Sequence, residues 1–326
     1  MSSKLSDYDY PLPEALIAKR PLPQRDESRM MVLHRGSETI EHRQFRDLKS
    51  FLRSGDLLVL NNTRVLPARR FSNDHTIEFL FLEKLGAARW KCLVKPGRKM
   101  RLGATSKIDN VSLHVEEILP DGERIVALDE DVDLYSHGSM PLPPYIGRDS
   151  DRADDERYQT VFAQKPGALA APTAGLHFTP EILSEIPHAF ITLHVGPGTF
   201  RPVHSENIAE HRMHSESFSI SAEAAAKINH AQRIVAVGTT TVRVLESARR
   251  ENGKLIAQNE STDLFIYPPY RLEHVDLVFT NFHLPRSTLL MLVSAFAGRE
   301  FLLRAYAEAI REGYRFYSYG DCMLIL

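Results

Sequence analysis

Between Leu57 and Asp133 the chain alternates short apolar runs with turn signals. Leu57–Leu60, Thr76–Leu82, Trp90–Val94, Val111–Val115 and Arg124–Leu128 are separated by glycines at 86, 97, 103 and 122. Short β-rich runs at this spacing predict a small barrel or sandwich. From about Gln159 the texture changes. Apolar runs now precede helical patterns: Ile234–Val237 leads into Val242–Arg250, and Val275–Phe279 leads into Thr288–Ala297, with Gly298 placed to end that helix. Thr179-Pro180-Glu181 reads as another helix start, Thr as cap and Pro in the first position. Strands alternating with helices predict βαβ units and a mostly parallel sheet. Helix-like patches at Pro13–Lys19 and Phe45–Leu52 fit either unit. The expected fold is α/β: a mostly parallel sheet domain built from 1–56 and 150–326, interrupted by an inserted small β-barrel domain over 57–149. Tyr135–Pro144, rich in Pro, Gly and Ser, closes the insert, and the charged run Arg148–Arg157 reads as a solvated helix start or an exposed loop.

A length of 326 residues suits about two domains. With 40 basic and 42 acidic residues the net charge is −2, which excludes a polybasic tail as the main source of nucleic-acid affinity but leaves room for a local basic groove. Cys92 and Cys322 are too few for a disulfide framework and read as reduced thiols. The first residues have no apolar leader core, and Leu289–Ala297 is about half a membrane span. A soluble cytoplasmic protein without membrane contact is expected.

Candidate chemistry gathers at predicted strand ends. Gly238-Thr239-Thr240-Thr241 sits between a strand and a helix, where the threonines cap the helix or free N–H groups receive an anion. Arg243, in the first turn of that helix, opposes the helix dipole and so suggests an anionic partner. His194-Val195-Gly196-Pro197-Gly198-Thr199-Phe200 lets backbone approach a ligand but lacks the third glycine of a dinucleotide fingerprint. His177 follows a small flexible turn, and Thr280-Asn281-Phe282-His283 ends another strand. Ligands of open α/β sheets bind outside the carboxyl ends of the strands, so His177, His194, His283 and the Gly238 turn are expected to share one crevice. His211, His214 and Glu216 invite a metal reading, although their spacing matches no standard zinc motif. Lys95, Arg98, Lys99 and Arg101 form a basic cluster near Arg64, Arg69 and Arg70 in sequence, readable as a phosphate-backbone contact or a solvated loop.

Taken in order, these residues resemble a known family. Leu57–Val65, Lys95–Arg98, Met140–Ile146, Arg157–Val161, Ala170–Thr179, His194–Phe200, His211–Glu216, Ala236–Arg243, Phe265–Pro268, Thr280–Pro285, Met291–Gly298 and Tyr319–Asp321 resemble the S-adenosylmethionine:tRNA ribosyltransferase-isomerases of queuosine biosynthesis. The chain departs from the family pattern at Thr241, Pro269 and Cys322, and is shortened between 73 and 86 and between 181 and 188. The resemblance implies an α/β domain with an inserted β-barrel. It also implies transfer and isomerisation of the ribosyl part of S-adenosylmethionine onto the 7-aminomethyl-7-deazaguanine base at the tRNA wobble position, with release of adenine and methionine. The cosubstrate is S-adenosylmethionine, the macromolecular partner is tRNA, and neither a metal nor an oligomer is implied.

Set against that chemistry, His283 or His177 is expected to remove a proton from the ribose carbon next to the sulfonium, with His194 or His214 assisting adenine departure. Gly196, Gly198, Thr199, Phe200, Gly238, Thr239, Asn281 and Phe282 are expected to surround the cosubstrate, and Arg243 to hold its carboxylate. Phe178, Phe200, Phe282 and Tyr145 are candidates to face the sulfonium. Arg64, Lys95, Arg98, Lys99 and Arg101 are expected to hold anticodon-stem phosphates. Two rival readings stand beside this one: a metal-dependent hydrolase built on His211, His214 and Glu216, and a non-catalytic RNA-binding protein.

Overall fold

A computed structural model describes residues 4–196, 198, 203 and 205–326. The chain divides into two compact units. One comprises Met1–Arg64, Pro144–Arg148 and Arg157–Leu326, the other Val65–Pro143 and Asp149–Glu156.

The first unit is organised around a nine-stranded sheet. Its strands in chain order are β1 (Arg29–His34), β2 (Thr39–Gln44), β3 (Asp56–Asn61), β4 (His188–Leu193), β5 (Glu216–Ile220), β6 (Arg233–Val237), β7 (Gln258–Thr262), β8 (Leu277–Asn281) and β9 (Cys322–Ile325). They lie in the order β7-β5-β4-β3-β6-β8-β9-β1-β2. The run Leu57–Leu60, expected in the barrel, is the middle of this sheet. β3 is buried along its whole length and pairs in parallel with β4 and β6. An apolar run covered on both faces carries no alternation, so pattern alone does not separate a barrel strand from a central parallel strand.

The sheet is mixed rather than mostly parallel. β4, β3, β6 and β8 run together, and β9 runs with β1. The pairs β7–β5, β5–β4, β8–β9 and β1–β2 are antiparallel. Four helices belong to this unit's larger core: α1 (Ala222–His230), α2 (Thr239–Ser247), α3 (Thr288–Ala297) and α4 (Arg299–Arg311). The reversal at β9 has a simple cause. Two consecutive helices, α3 and α4 joined at Gly298, carry the chain away from β8 and back, so that β9 enters the sheet antiparallel to β8. Gly298 suits that junction because its φ of +86° lies where side chains are disfavoured.

Strand alternation sorts the core into two layers. Val59, Ile191, Ala236, Val278 and Phe282 face the four helices. Leu58, Leu60, Val235, Val237 and Phe279 face Phe45, Phe162, Phe178 and Leu183, contributed by short helical and irregular segments. Thr179 caps the helix Pro180–Ser184 by accepting from the Ile182 N–H at 3.3 Å, as its sequence suggests. Of the N-terminal patches, Phe45–Phe51 is a 3₁₀ helix and Pro13–Lys19 retains only the turn Glu14–Leu16.

The second unit is a six-stranded antiparallel sheet in the order Arg69–Phe71, Glu78–Gly86, Arg89–Lys95, Arg124–Leu128, Val111–Ile118 and Thr105–Ile108. Its first and last strands approach each other where the Asn73 N–H donates to the Lys107 carbonyl at 3.0 Å, giving a barrel-like form. Phe79, Phe81, Trp90, Met100, Leu113 and Val126 fill it. The run Arg148–Arg157 contains the short helix Arg152–Arg157. Cys92 and Cys322 are free and buried. Among the described residues no helix is long and apolar enough to cross a membrane.

Candidate functional site

Because β3, β4, β6 and β8 are parallel, their carboxyl ends share one edge of the sheet. Asn61 ties two of these ends together: its Nδ2 donates to the Leu193 carbonyl at 2.9 Å and its Oδ1 accepts the Leu193 N–H at 3.0 Å. The same amide nitrogen reaches Thr240 Oγ1 at 3.4 Å. Next along the edge, His194 Nδ1 lies 2.8 Å from Thr63 Oγ1, and its ring packs so closely on Gly167 that a Cβ there would come within 2.7 Å. Half-burial lowers the His194 pKa. Gly238 opens α2 with φ +89° and without a side-chain cap, while Thr241 Oγ1 donates back to the Val237 carbonyl at 2.9 Å. Of the two readings of the Gly238–Thr241 turn, capping by a threonine is therefore not the one realised.

His177 and His283 do not share one crevice. Thr280 and Asn281 are neighbours on β8, so their side chains leave opposite faces of the sheet. His177, at the end of the 3₁₀ segment Thr173–His177, is bonded to Asn281 and lies against Phe45 and Phe279. His283 is bonded to Thr280 on the other face, where its backbone N–H donates to Tyr306 Oη at 2.9 Å and its carbonyl accepts the Tyr10 hydroxyl. Burial alone lowers His283 to about 3. His214 sits elsewhere again, against Gly198, whose hypothetical Cβ would meet its Cδ2 at 2.6 Å.

His177 borders a narrow cleft with about 20 Å³ of free volume, room for about one water molecule. The cleft is lined by Arg25, Ser28, Arg157, His177, Ser318 and Tyr319 among others. The imidazole tautomer follows from the hydrogen bonds. Asn281 Nδ2 donates to the Tyr317 carbonyl at 3.0 Å, so its Oδ1 accepts the His177 Nε2–H at 3.3 Å. His177 Nδ1 is then left to accept the Ser28 hydroxyl at 2.8 Å. Burial lowers the His177 pKa to about 4; the Asn281 bond opposes this, and the charges of Arg25 and Arg315 add to the lowering. Around this pair the guanidinium groups are held by carbonyls: Arg25 by Leu176, and Arg157 by Leu22 and Pro23. Arg157 Nε and Arg315 Nη1 are buried without a hydrogen-bond partner among the described residues.

Arg243, expected to meet a ligand carboxylate, already has its partners. It pairs with buried Glu216 and donates to the carbonyls of Leu264 at 3.1 Å and Thr262 at 3.2 Å. The other Glu216 oxygen accepts the Gly196 N–H at 2.8 Å. This answers the dipole misfit of Arg243: the anion is supplied by β5. It also removes Glu216 from the metal reading, and the His211 ring meets Phe265 edge-on at 5.3 Å. Among the described residues no group of three His, Cys, Asp or Glu side chains comes together to hold a metal ion.

The aromatic candidates divide as well. Phe178 is core, packed on Phe45 at 4.9 Å, and Phe282 is core, packed on Phe316 at 4.9 Å. Tyr145 remains: it is half-buried and bonded to Ser318, a cleft residue. Thr199 and Phe200 lie outside the described residues. Lys95, Arg98, Lys99 and Arg101 are exposed on one loop of the barrel unit, and Arg64 is exposed in the other unit.

Comparison with known proteins decides the family. A family described as "Queuosine biosynthesis protein" matches residues 5–325. An S-adenosylmethionine:tRNA ribosyltransferase-isomerase of Desulfitobacterium hafniense is 49% identical over 343 residues, covering 99% of this chain and 100% of the relative. The chain belongs to the S-adenosylmethionine:tRNA ribosyltransferase-isomerase family. Another relative so named, from Thermotoga maritima, is 48% identical over 344 residues, covering 99% of this chain and all of its own length. A crystal structure of S-adenosylmethionine tRNA ribosyltransferase from Thermotoga maritima is 41% identical and superposes with a TM-score of 0.57, covering 98% of this chain and 100% of that one.

In this member of the ribosyltransferase-isomerase family, the sequence reading overlooked Ser28, Asn61, Thr63, Arg157 and Arg315. Asn61 and Thr63 stand in the quoted Leu57–Val65 motif, directly after an apolar strand, which is the signal that would have found them. Ser28 and Arg315 lie in segments without periodicity, far from their partners in sequence, and nothing local marks them.

Proposed function

We infer that this protein transfers and isomerises the ribosyl moiety of S-adenosylmethionine onto the 7-aminomethyl-7-deazaguanine base at the tRNA wobble position, giving epoxyqueuosine-tRNA, adenine and methionine. The carrying observation is the match over 99% of the chain to relatives of that name. The metal-dependent hydrolase loses its Glu216 to Arg243, and a bare RNA-binding module leaves the buried Ser28–His177–Asn281 chain without a purpose. The same reading makes the protein a cytoplasmic monomer that needs no metal.

The cleft around His177 is the place we assign to the cosubstrate. A sulfonium acidifies the adjoining ribose carbon, and removal of that proton starts the loss of adenine. Ser28 Oγ takes the proton as its own passes to His177 Nδ1, while Asn281 holds the Nε2–H and so fixes the ring. With its pKa near 4 the imidazole is an unprotonated but weak base at neutral pH, so the acidity supplied by the sulfonium is essential to the step. The unpartnered N–H groups of Arg157 and Arg315 suit the methionine carboxylate better than Arg243 does, and we assign Tyr145, bonded to the cleft residue Ser318, to the sulfonium. His194, Gly196, Gly198, Gly238, Thr239 and His214 remain assigned to the strand-end edge, with His194 the group nearest to assist the departing adenine. The exposed barrel loop Lys95–Arg101 and Arg64 hold RNA phosphates.

The test is direct. Purified protein incubated with S-adenosylmethionine and tRNA carrying the aminomethyl precursor base is expected to release adenine and methionine in equal amounts and only when both substrates are present. Absence of adenine release with correctly modified tRNA rejects the reading.

A further inference from the structure

The barrel unit carries a pocket that the reaction proposed above does not use. Its volume is about 500 Å³, and its walls include Arg69, Phe71, Asn73, His75, Asn110 and His137. Sites for small ligands usually measure roughly 300–1,000 Å³. The Phe71 ring is stacked with the His75 imidazole at 5.9 Å and an interplanar angle of 30°. The Arg69 guanidinium lies 4.9 Å from the centre of the same ring. Together these groups put an aromatic ring, an imidazole and a guanidinium on the pocket wall.

Charge decides what kind of ligand suits it. Arg69 pairs with Glu78 at 2.8 Å and Asp149 at 3.3 Å, and Arg70 pairs with Asp109 while donating to the Leu134 carbonyl. Two guanidinium charges are thus met by three carboxylates, which disfavours a phosphate inside the pocket. What remains is a stacking surface with amide and imidazole groups around it. Asn73 Nδ2 is committed to the Asp109 carbonyl at 2.7 Å, leaving Oδ1 to accept, and the exposed Asn110 amide has both donor and acceptor capacity. That inventory matches a neutral planar heterocycle with hydrogen-bonding edges.

The rim supplies the complementary charge. Asp74, between Asn73 and His75, accepts from Ser72 Oγ at 2.6 Å and from Thr76 Oγ1 at 2.9 Å. In the sheet Phe71 lies opposite Glu78, and Glu78 lies opposite Lys95, the first cation of the basic loop. The loop that bears Lys95, Arg98, Lys99 and Arg101 therefore borders the pocket. A base-sized recess beside exposed cations is the usual way to hold single-stranded nucleic acid.

We propose that this pocket receives one unpaired nucleobase of the RNA substrate, stacked on Phe71 and His75 and contacted at its edge by Asn73 and Asn110. The proposal rests on the tRNA reading above and adds a second RNA contact, separate from the His177 cleft. It is tested with the full-length protein and two fluorescent RNAs, an anticodon stem–loop and a blunt duplex without a loop. Phe71→Ala is expected to weaken stem–loop binding about tenfold, the cost of one lost base–aromatic stack, and to leave duplex binding unchanged. Phe71→Trp is expected to restore the stem–loop affinity. His75→Ala and Asn110→Ala, at exposed positions, are expected to weaken stem–loop binding in the same selective way even if Phe71→Ala folds poorly. Unchanged stem–loop affinity in these variants, or equal losses for stem–loop and duplex, overturns the pocket. Adenine release by the wild-type protein judges the enzymatic reading separately, so the two can fail independently.

Discussion

Arg243 shows how a single residue can mislead from sequence and be explained by structure. Its position in the first turn of α2 is electrostatically awkward, and the sequence offered no partner closer than a ligand. Glu216 stands 27 residues away on β5, a separation at which no local pattern links the two. The pair is buried on both sides, so removing one partner strands a charge in the core. Glu216→Ala is expected to lower stability by about 3–5 kcal/mol in urea unfolding, and the double variant with Arg243→Ala to lose less than the sum of the two single losses. Additive losses would show that the pair is not coupled. His177 allows a second expectation at this scale. Its pKa falls from the ordinary 6.5 in the unfolded chain to about 4 when folded. Between those values the unfolded state binds more protons, so stability is complete above pH 6.5 and declines as the pH falls toward 4. The loss attributable to this residue is on the order of 3 kcal/mol at the lower limit. Unfolding curves across that window are expected to be flatter for His177→Gln than for wild type, with the residual slope coming from groups such as His283.

At the level of elements, β3, β6, β8 and the barrel strands near 78, 90, 111 and 124 were visible as apolar runs beside turn signals, as was α3 with its closing Gly298, whereas β1, β2, β5, β7 and β9 were not read. The strand directions were not visible. β5 and β6 are joined by the single helix α1 yet run antiparallel, and α4, which turns the chain back before β9, was not read from the sequence at all. Nor does a strand-end motif disclose which face each side chain takes. Thr280-Asn281-Phe282-His283 looked like one polar cluster, yet alternation sends Asn281 to His177 and Thr280 to His283 on opposite faces. This division is open to measurement. If the chemistry belongs to the cleft face, Ser28→Ala is expected to reduce the rate of adenine release about 10- to 100-fold with little change in thermal midpoint. His283→Asn, on the helix-covered face, is expected to lower the thermal midpoint while the folded fraction keeps its turnover. The reverse pattern would move the reaction to the other side of the sheet.

For the molecule as a whole, the near-neutral balance of 40 basic and 42 acidic residues means that no general positive field draws RNA to the protein. Attraction must come from places where the balance is broken locally, and the barrel loop Lys95–Arg101 is such a place: four cations without an acid, all exposed. This feature was legible from composition alone, because a charge cluster on a turn needs no tertiary partner to be recognised. The pocket beside it was not, since Phe71 on a strand and His75 and Asn110 on two separate turns are brought together only by the closing of the barrel. Each phosphate neutralised by a cation releases counterions, so binding weakens with salt in proportion to the number of such contacts. Replacing Lys95 and Arg98 together by alanine is accordingly expected to weaken tRNA binding at low salt and to reduce the slope of log affinity against log salt by roughly 1.5, the share of two contacts. A variant at Phe71 is expected to lower affinity with the slope unchanged, because stacking releases no ions. Titrations of both variants over a range of salt concentrations distinguish a phosphate contact from a base contact on the same barrel, and an unaltered slope in the Lys95→Ala, Arg98→Ala protein would place the RNA backbone elsewhere.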